Sequence, residues 1–399
     1  ASFILSEVVK MPKFMDYAKL RSSWAEVGSA TVNAGSINQT YAVSTVNAYG
    51  LPTLSNPNTL NNPNIRPVTV ATIEGGFEVQ MLNNRIGLDV NYYSRRTRND
   101  ILSPPISGAT GYAAGRRNLG LVTNKGWEIS LTGTPIKKDN FSWDVNYNFG
   151  YNQSKIVELA EGIDVLSLGS GIGGPQMINA VGLPYSTVRA NVMKLDANGN
   201  KVYNTATGYE VQELRDLGVG NPPYLMGLGN NFRYKRFSLT VDIDSKFGAV
   251  GYSNLIQYAT RFGHTPQTLP GREGGLTVTG VSAAGAPYTK VWSVVDLDTY
   301  YNNFGNAYPG QWVYKTDFVK LRRAVLKYNL PANTLKFMKV QAASVGITGL
   351  NLAILYQDKR IKEAGIDPEM QETVGNAQGS QGVSMPRTRN IGFNLNLRF

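Results

Sequence analysis

Cysteine is absent from the 399 residues, and histidine occurs once. The first absence removes disulfides, thiolate metal centres and cysteine nucleophiles together. The second leaves His264 in a Gly/Pro-rich stretch with no carboxylate or second histidine beside it, so it reads as a loop residue; no metal, cofactor or acid–base role is expected. No run approaches the roughly 18 apolar residues of a membrane-crossing helix. Charge is sparse too, at 17%, and the excess of Lys and Arg behind a net charge of +11 is scattered in pairs such as Arg95-Arg96, Arg116-Arg117, Lys137-Lys138 and Arg322-Arg323. With no basic run or helix to present it, this excess does not describe a nucleic-acid surface.

What is present is glycine, tyrosine and phenylalanine (42, 22 and 14 residues), which suit strands and polar loops better than helices. A mean hydropathy of -0.22 does not exclude a membrane barrel, because barrel strands are apolar only at every second position. That alternation recurs in segments of about ten residues. Ile391, Phe393, Leu395, Leu397 and Phe399 face one way and Gly392, Asn394, Asn396 and Arg398 the other. The same holds for Phe141 to Tyr151, for Phe237 to Ile243, and for Ile86 to Tyr92. A soluble sandwich alternates as well. Here, however, the apolar face ends in aromatic rings and the other face carries Asp, Asn and Glu along its length, which predicts a lipid-facing exterior around a wet lumen.

Connections alternate in length. Tight links at Leu82-Asn83-Asn84-Arg85, Ile136 to Asn140 and Tyr234-Lys235-Arg236 read as hairpins, and long stretches at about 29–67, 99–120, 155–182, 250–313 and 356–387 read as extracellular loops. Counting strand direction by parity leaves room for a pair of strands near 185–196 and 200–213, turned at Asp196-Ala197-Asn198-Gly199. With that pair the wall has about twelve strands and part of another at the N-terminus. In Val319, Leu321, Ala324, Leu326 and Tyr328 the apolar parity slips after Leu321, which a β-bulge would restore. Open edges cannot stand in hydrocarbon, so further strands, upstream or from another chain, are expected to close the wall. The start, Ala-Ser-Phe-Ile-Leu-Ser-Glu, reads as a chain entered partway along.

Several segments, in order, resemble the SusC/RagA class of TonB-dependent outer-membrane transporters of Bacteroidetes. They are Thr72-Ile73-Glu74-Gly75-Gly76-Phe77-Glu78 with Asn83-Asn84-Arg85-Ile86, Asn124-Lys125-Gly126-Trp127-Glu128-Ile129, Phe141-Ser142-Trp143, Asn221-Pro222-Pro223, Phe318-Val319-Lys320-Leu321-Arg322, Gly365-Ile366-Asp367-Pro368-Glu369 and Pro386-Arg387-Thr388. Leu350 and Arg323 depart from the usual residues of that class. The resemblance implies an all-β antiparallel transmembrane barrel in which residues 1–399 are the C-terminal part of one domain, about 12 to 13 of about 22 strands, with the plug domain and TonB-contacting segment upstream. It further implies a non-enzymatic outer-membrane importer of an oligosaccharide or peptide, without a cofactor, that works with a SusD-like surface lipoprotein and the TonB complex. A passive porin or structural barrel is the alternative, separated from an importer by whether a plug exists.

On these grounds Glu74, Glu78, Glu128, Asp144, Asp242 and Asp244 are expected to face the lumen or a plug. Tyr300, Tyr301, Tyr308 and Trp312, in one long loop, are the candidate substrate-binding residues, since rings stack on sugars and pack on peptide side chains. Phe393, Leu395, Leu397 and Phe399 resemble the terminal-strand signal read by the barrel-assembly machinery. A barrel hydrolase would need a Ser/His or Asp/His constellation, for which one loop histidine is a poor start. Asp242 and Asp244 on one face are ordinary for a wet wall and do not specify glycosidic chemistry.

Overall fold

The computed structural model describes residues 1–29, 34–44, 50–160, 162–170, 174–338, 340–369, 378–381 and 387–399. Pro386 and parts of the loops at 29–67, 155–182 and 356–387 lie outside them. Eleven strands form one antiparallel sheet in chain order, with no crossover: β1 (Ser2–Ile4), β2 (Met15–Ser29), β3 (Val68–Met81), β4 (Ile86–Leu102), β5 (Arg117–Lys138), β6 (Phe141–Glu158), β7 (Tyr224–Tyr234), β8 (Phe237–Phe247), β9 (Phe318–Asn329), β10 (Ala342–Gln357) and β11 (Asn390–Arg398).

Register sorts the side chains into two faces. Tyr92, Trp127, Tyr151, Tyr224 and Phe247 stand opposite one another across β4 to β8 and make one continuous aromatic row. Phe141, Tyr234, Phe237 and Tyr328 make a second row near the other end of β6 to β9. On β6 the rows are separated by the ten-residue step from 141 to 151. At roughly 3.3 Å per residue and a tilt of roughly 40°, that step spans about 25 Å, the height of the apolar band of an outer-membrane barrel. Between the rows the outward residues stay uncovered: Leu131 is 40% exposed and Leu326 48% exposed. An apolar face left bare over this height, edged by rings that prefer the headgroup level, is a lipid-facing surface.

The tight turns form where expected. Leu82, Asn83 and Asn84 adopt left-handed φ of 59°, 57° and 57°, and Lys235 turns β7 into β8 at φ 52°. The long connections gather at the opposite end. The bulge forms as well: Asp242 pairs with Arg323 and Ile243 with Leu321, leaving Arg322 as the extra residue.

One expected feature of the wall is corrected. No strands intervene between β6 and β7, which pair directly from Phe141–Tyr234 to Tyr151–Tyr224. The turn at Asp196-Ala197-Asn198-Gly199 does form, with Gly199 donating to the Asp196 carbonyl at 3.1 Å and the Asp196 carboxylate accepting from the amides of Asn198 and Asn200. Its flanks belong to small sheets within the loops: Thr187–Met193 pairs with Gln212–Val219, and Val202–Tyr203 with residues 281–282. A seven-residue strand with no ring at either end is too short for the 25 Å band, and its apolar face, Val188, Ala190 and Val192, is buried rather than bare.

The hydrophobic cores also lie in the loops rather than on the wall. Val188, Val250, Tyr252, Trp312, Val313, Tyr314, Ile361 and Ile366 form one core from three separate connections. Tyr203, Val278, Trp292, Leu297, Tyr300 and Tyr301 form another. The loops thus make a packed cap over one end of the sheet.

Val241 points outward midway along β8, opposite Ala324 and Asn230. Replacing Val241 by Arg should cost the folded, lipid-embedded full-length protein about 2–4 kcal/mol. A denaturant titration in vesicles reads this directly, and an unchanged midpoint would show that this face does not meet hydrocarbon.

Candidate functional site

Because faces alternate, the residues opposite the apolar band form a single polar face. All six carboxylates singled out above stand on it, as do Arg21, Asp89 and Asn91. They fall into two groups. Asp144 accepts from Arg233 at 2.9 Å and from the Thr134 hydroxyl at 2.8 Å; Asp242 is paired with Arg323 at 2.6 Å and Asp244 with Arg322 at 2.6 Å. Glu74, Glu78 and Glu128 have no ion-pair partner among the described residues.

Two glycines of the sequence motifs let side chains cross a strand. Arg21 on β2 reaches over β3 to Asp89 on β4 at 2.7 Å, passing Gly76. A Cβ at Gly76 would sit 2.6 Å from the Val90 carbonyl oxygen and 3.1 Å from the Arg21 guanidinium. Tyr93 likewise lies over Gly126 and donates to the Asn152 side-chain oxygen at 2.9 Å, and a Cβ at Gly126 would come within 2.5 Å of its ring. Any side chain there would displace the bridge.

The densest charge cluster centres on the β9 bulge. An extra residue at 322 puts Lys320, Arg322 and Arg323 on the polar face together, which strict alternation would forbid. Lys320 donates to Asp367 at 2.5 Å and to Glu369 at 2.8 Å. Arg322 grips Glu369 at 2.8 and 3.0 Å, Asp244 at 2.6 and 3.0 Å, and the side-chain oxygen of Asn351 at 2.9 Å. Asn351, at φ 53°, irregularly paired in β10, also donates to the Thr388 carbonyl at 3.3 Å. Arg387 approaches Glu369 at 3.9 Å. Burial pushes the Glu369 carboxyl up, but hydrogen bonds and charge from Arg322 and Lys320 more than reverse this and hold it at about 2.

This cluster explains the Gly365 to Glu369 segment. The helix Lys359–Glu363 is capped by the Asp358 carboxylate, and Gly365 turns the chain at φ 68°. Ile361 and Ile366 then enter the cap core, while Asp367 and Glu369 bind the wall. Five residues therefore fasten the cap to the inner face of the sheet.

The four candidate substrate-binding rings are placed otherwise than expected. Tyr300, Tyr301, Tyr308 and Trp312 are all buried, at most 8% exposed. The Tyr300 hydroxyl donates to the Glu210 carboxylate at 3.2 Å, Tyr301 to the Pro270 carbonyl at 2.9 Å, Tyr308 to the Glu210 carbonyl at 2.5 Å and Trp312 to the Gly305 carbonyl at 3.1 Å. Burial pushes the hydroxyls of Tyr300 and Tyr308 up. In this structure the rings are the scaffold of the cap, because apolar area in a loop of this size is used first to fold the loop.

A cavity of about 470 Å³ opens instead where the long-loop ends of β4, β5 and β6 meet the cap, lined by Asn124, Asn152, Ser154, Tyr185, Asn221 and Pro223 among others. Burial pushes the Tyr185 hydroxyl up to about 12. Its lining comes from five separated stretches, so no local motif announces it. A second cavity, of about 550 Å³, runs along the polar face past Arg21, Asp89, Glu128 and Asp244. At the far edge, β11 pairs with β10, and Phe393, Leu395 and Leu397 point outward beside Ile347, Val345 and Ala343. Phe399 follows at the exposed end.

A family profile described as TonB dependent receptor-like, beta-barrel, matches residues 13–308. TonB-dependent receptor P26 of Formosa agariphila is 26% identical over 96% of this chain and 40% of its own length. TonB-dependent receptor SusC of Bacteroides thetaiotaomicron is 26% identical over 49% of this chain and 21% of its own. Among solved structures, the RagAB peptide importer in its open-open state matches 100% of this chain and 42% of that one, with a TM-score of 0.73 at 19% identity. The closed-closed state of the same importer gives 0.72 over 99% and 42%. The fold is therefore shared, and the chain spans about 40% of the length of the relatives it matches most fully.

Between pH 7 and 5 the anchoring of residues 361–366 should be constant. Glu369 has a folded value near 2 and an ordinary value of 4.5, so its contribution is present above about 4.5 and is lost as pH falls from there towards 2. Hydrogen-exchange protection of these amides, corrected for intrinsic rates, should fall across that window in the natural sequence. In Glu369→Gln it should be low and nearly flat from pH 7 downward. A matching acid profile in the variant would rule Glu369 out as the anchor.

Proposed function

The chain belongs to the TonB-dependent receptor-like β-barrel family, and on that premise we propose that it is the C-terminal part of the wall of an active outer-membrane importer. The chain is an outer-membrane barrel protein and not an enzyme. In this reading residues 1–399 supply about half of a ring of about 22 strands, the rest of the wall and an internal plug coming from upstream. The imported molecule is an oligosaccharide or a peptide, taken up with a SusD-like surface lipoprotein and released inward when the TonB complex pulls on the plug. The barrel-assembly machinery inserts the protein through its terminal strand, with Phe393, Leu395, Leu397 and Phe399 on that strand.

The observation that carries this reading is the contrast between the two faces. The outer face between the aromatic rows is bare and apolar, whereas on the inner face Glu74, Glu78 and Glu128 have no ion-pair partner among the described residues, beside Asp89, Asp144, Asp242 and Asp244, each matched by an arginine. Acids left without partners on a lumen wall offer docking points to a basic surface in the lumen. Fixing the cap to β9 adds support, since it sets the entrance above that lumen. Peptide import by the RagAB proteins, whose fold this chain shares, keeps a peptide in view.

Two measurements test the proposal in the full-length protein within its own cells. Uptake should vanish when TonB is removed, and uptake persisting without TonB would favour a passive pore. The triple change E74K/E78K/E128K should leave the amount of folded barrel unchanged but raise entry of a bulky antibiotic several-fold through a poorly seated plug. Unchanged entry would remove these acids from any docking role.

A further inference from the structure

Above the aromatic row on the long-loop side, β4, β5 and β6 continue beyond the apolar band, reaching Leu102, back from Arg117, and to Glu158. Their outward faces can be read row by row. The first row above Tyr92, Trp127 and Tyr151 is Ser94, Lys125 and Gln153; the next is Arg96, Thr123 and Lys155; the next begins with Arg98. Four cations, Arg96, Arg98, Lys125 and Lys155, thus gather on the lipid side of three adjacent strands. All four are exposed, and none has an ion-pair partner among the described residues. One acid shares these rows, Glu158, which stands opposite Leu121 and so two strands across from Arg98, leaving the four cations in excess; Glu26 lies on β2 opposite Ala71, a full strand away from Arg96.

Strand spacing puts Arg96 and Lys155 on either side of Thr123, roughly 10 Å apart at the backbone, with Lys125 roughly 7 Å below and Arg98 roughly 7 Å above that row. Like charges so placed repel one another unless an anion sits among them. Their height identifies the anion. Tyr and Trp of a girdle lie at headgroup level, so cations one to three rows further out lie at the level of lipid phosphates. Arg forks match phosphate geometry, and each basic side chain near an anionic lipid surface contributes about 1 kcal/mol.

We propose that Arg96, Arg98, Lys125 and Lys155 form a binding site for the phosphate groups of a phosphorylated lipid of the outer leaflet. The site rests on the lipid-facing reading of this surface. It uses side chains that no part of the transport reading employs, and it fixes the protein's depth in the membrane beneath its cap.

The test uses the full-length protein folded in neutral detergent micelles, with folding checked by its heat-dependent mobility on gels. Doping the micelles with a bis-phosphorylated lipid should raise the unfolding midpoint, whereas the dephosphorylated lipid or inorganic phosphate alone should not. In R96Q/R98Q/K125Q/K155Q the apparent affinity for that lipid should fall at least tenfold. Independently of any variant, raising salt from 50 to 500 mM should abolish the preference in the natural sequence. Equal stabilisation by the dephosphorylated lipid, equal stabilisation by inorganic phosphate, undiminished binding by the variant, or indifference to salt would each overturn the site. A protein that shows no heat-dependent mobility would instead overturn the barrel reading, so the two failures are told apart.

Discussion

The backbone of a sheet in hydrocarbon must make its hydrogen bonds to itself, and nearly everything else in this structure follows from that demand. Eleven strands pair in chain order because a meander meets it with the shortest connections. Once the backbone is satisfied, side chains can be apolar outside without any core beneath them. The usual relation between burial and hydrophobicity is therefore inverted. Ile73 and Trp24 are largely uncovered, while Lys320, Asp367 and Glu369 have side chains at most 10% exposed. The loops, which meet water, return to the ordinary rule and bury tyrosine, tryptophan and valine.

Inversion makes the polar face the place where energy has to be balanced. Four cations around the β9 bulge, Lys320, Arg322, Arg323 and Arg387, stand against four carboxylates, Asp242, Asp244, Asp367 and Glu369. A buried charge left alone costs several kcal/mol, and a pair recovers that cost only with good geometry and further hydrogen bonds. The bulge supplies the geometry by turning two consecutive arginines to one side, and Asn351 supplies an extra acceptor. Arg323 and Leu350 stand opposite one another across β9 and β10. Arg323 serves Asp242 on neighbouring β8 and so enters this balance rather than disturbing it.

Much of the wall was legible in the sequence because its signals are local. Period-two alternation, a ring at each end of a ten-residue strand and tight Asn-rich turns lie within a dozen residues of one another, and even the bulge showed as a slip of parity after Leu321. The misplaced pair failed for an instructive reason. Thr187 to Met193 alternates as a wall strand does, but alternation reports two unlike faces and not the medium they meet; strand length and terminal rings carry that information. The cap anchor was out of reach. Lys320 and Glu369 are 49 positions apart, and nothing in Gly365-Ile366-Asp367-Pro368-Glu369 says which strand its acids will find. Gly76 and Gly126 were visible only as motif letters, since the reason for each is a side chain arriving from another strand.

The aromatic loop residues show how a sound chemical premise can point to the wrong place. Rings bind sugars and peptides, but a connection of roughly seventy residues between β8 and β9 must first hold itself together, and burying rings is the strongest means it has. Tyr300 and Tyr301 were spent on that, and with them the hydroxyls that a ligand would have used, now donated to Glu210 and Pro270. The opening left for a ligand is lined by side-chain amides, hydroxyls and prolines where strand ends meet the cap. Such a lining offers donors and acceptors in neutral form, so it discriminates by hydrogen-bond geometry rather than by charge. Charge is concentrated on the deeper face, where Glu74, Glu78 and Glu128 have no ion-pair partner among the described residues. In the proposed import, a molecule descending from cap to lumen meets shape first and electrostatics second, an order set by the same inversion that put the charges inside.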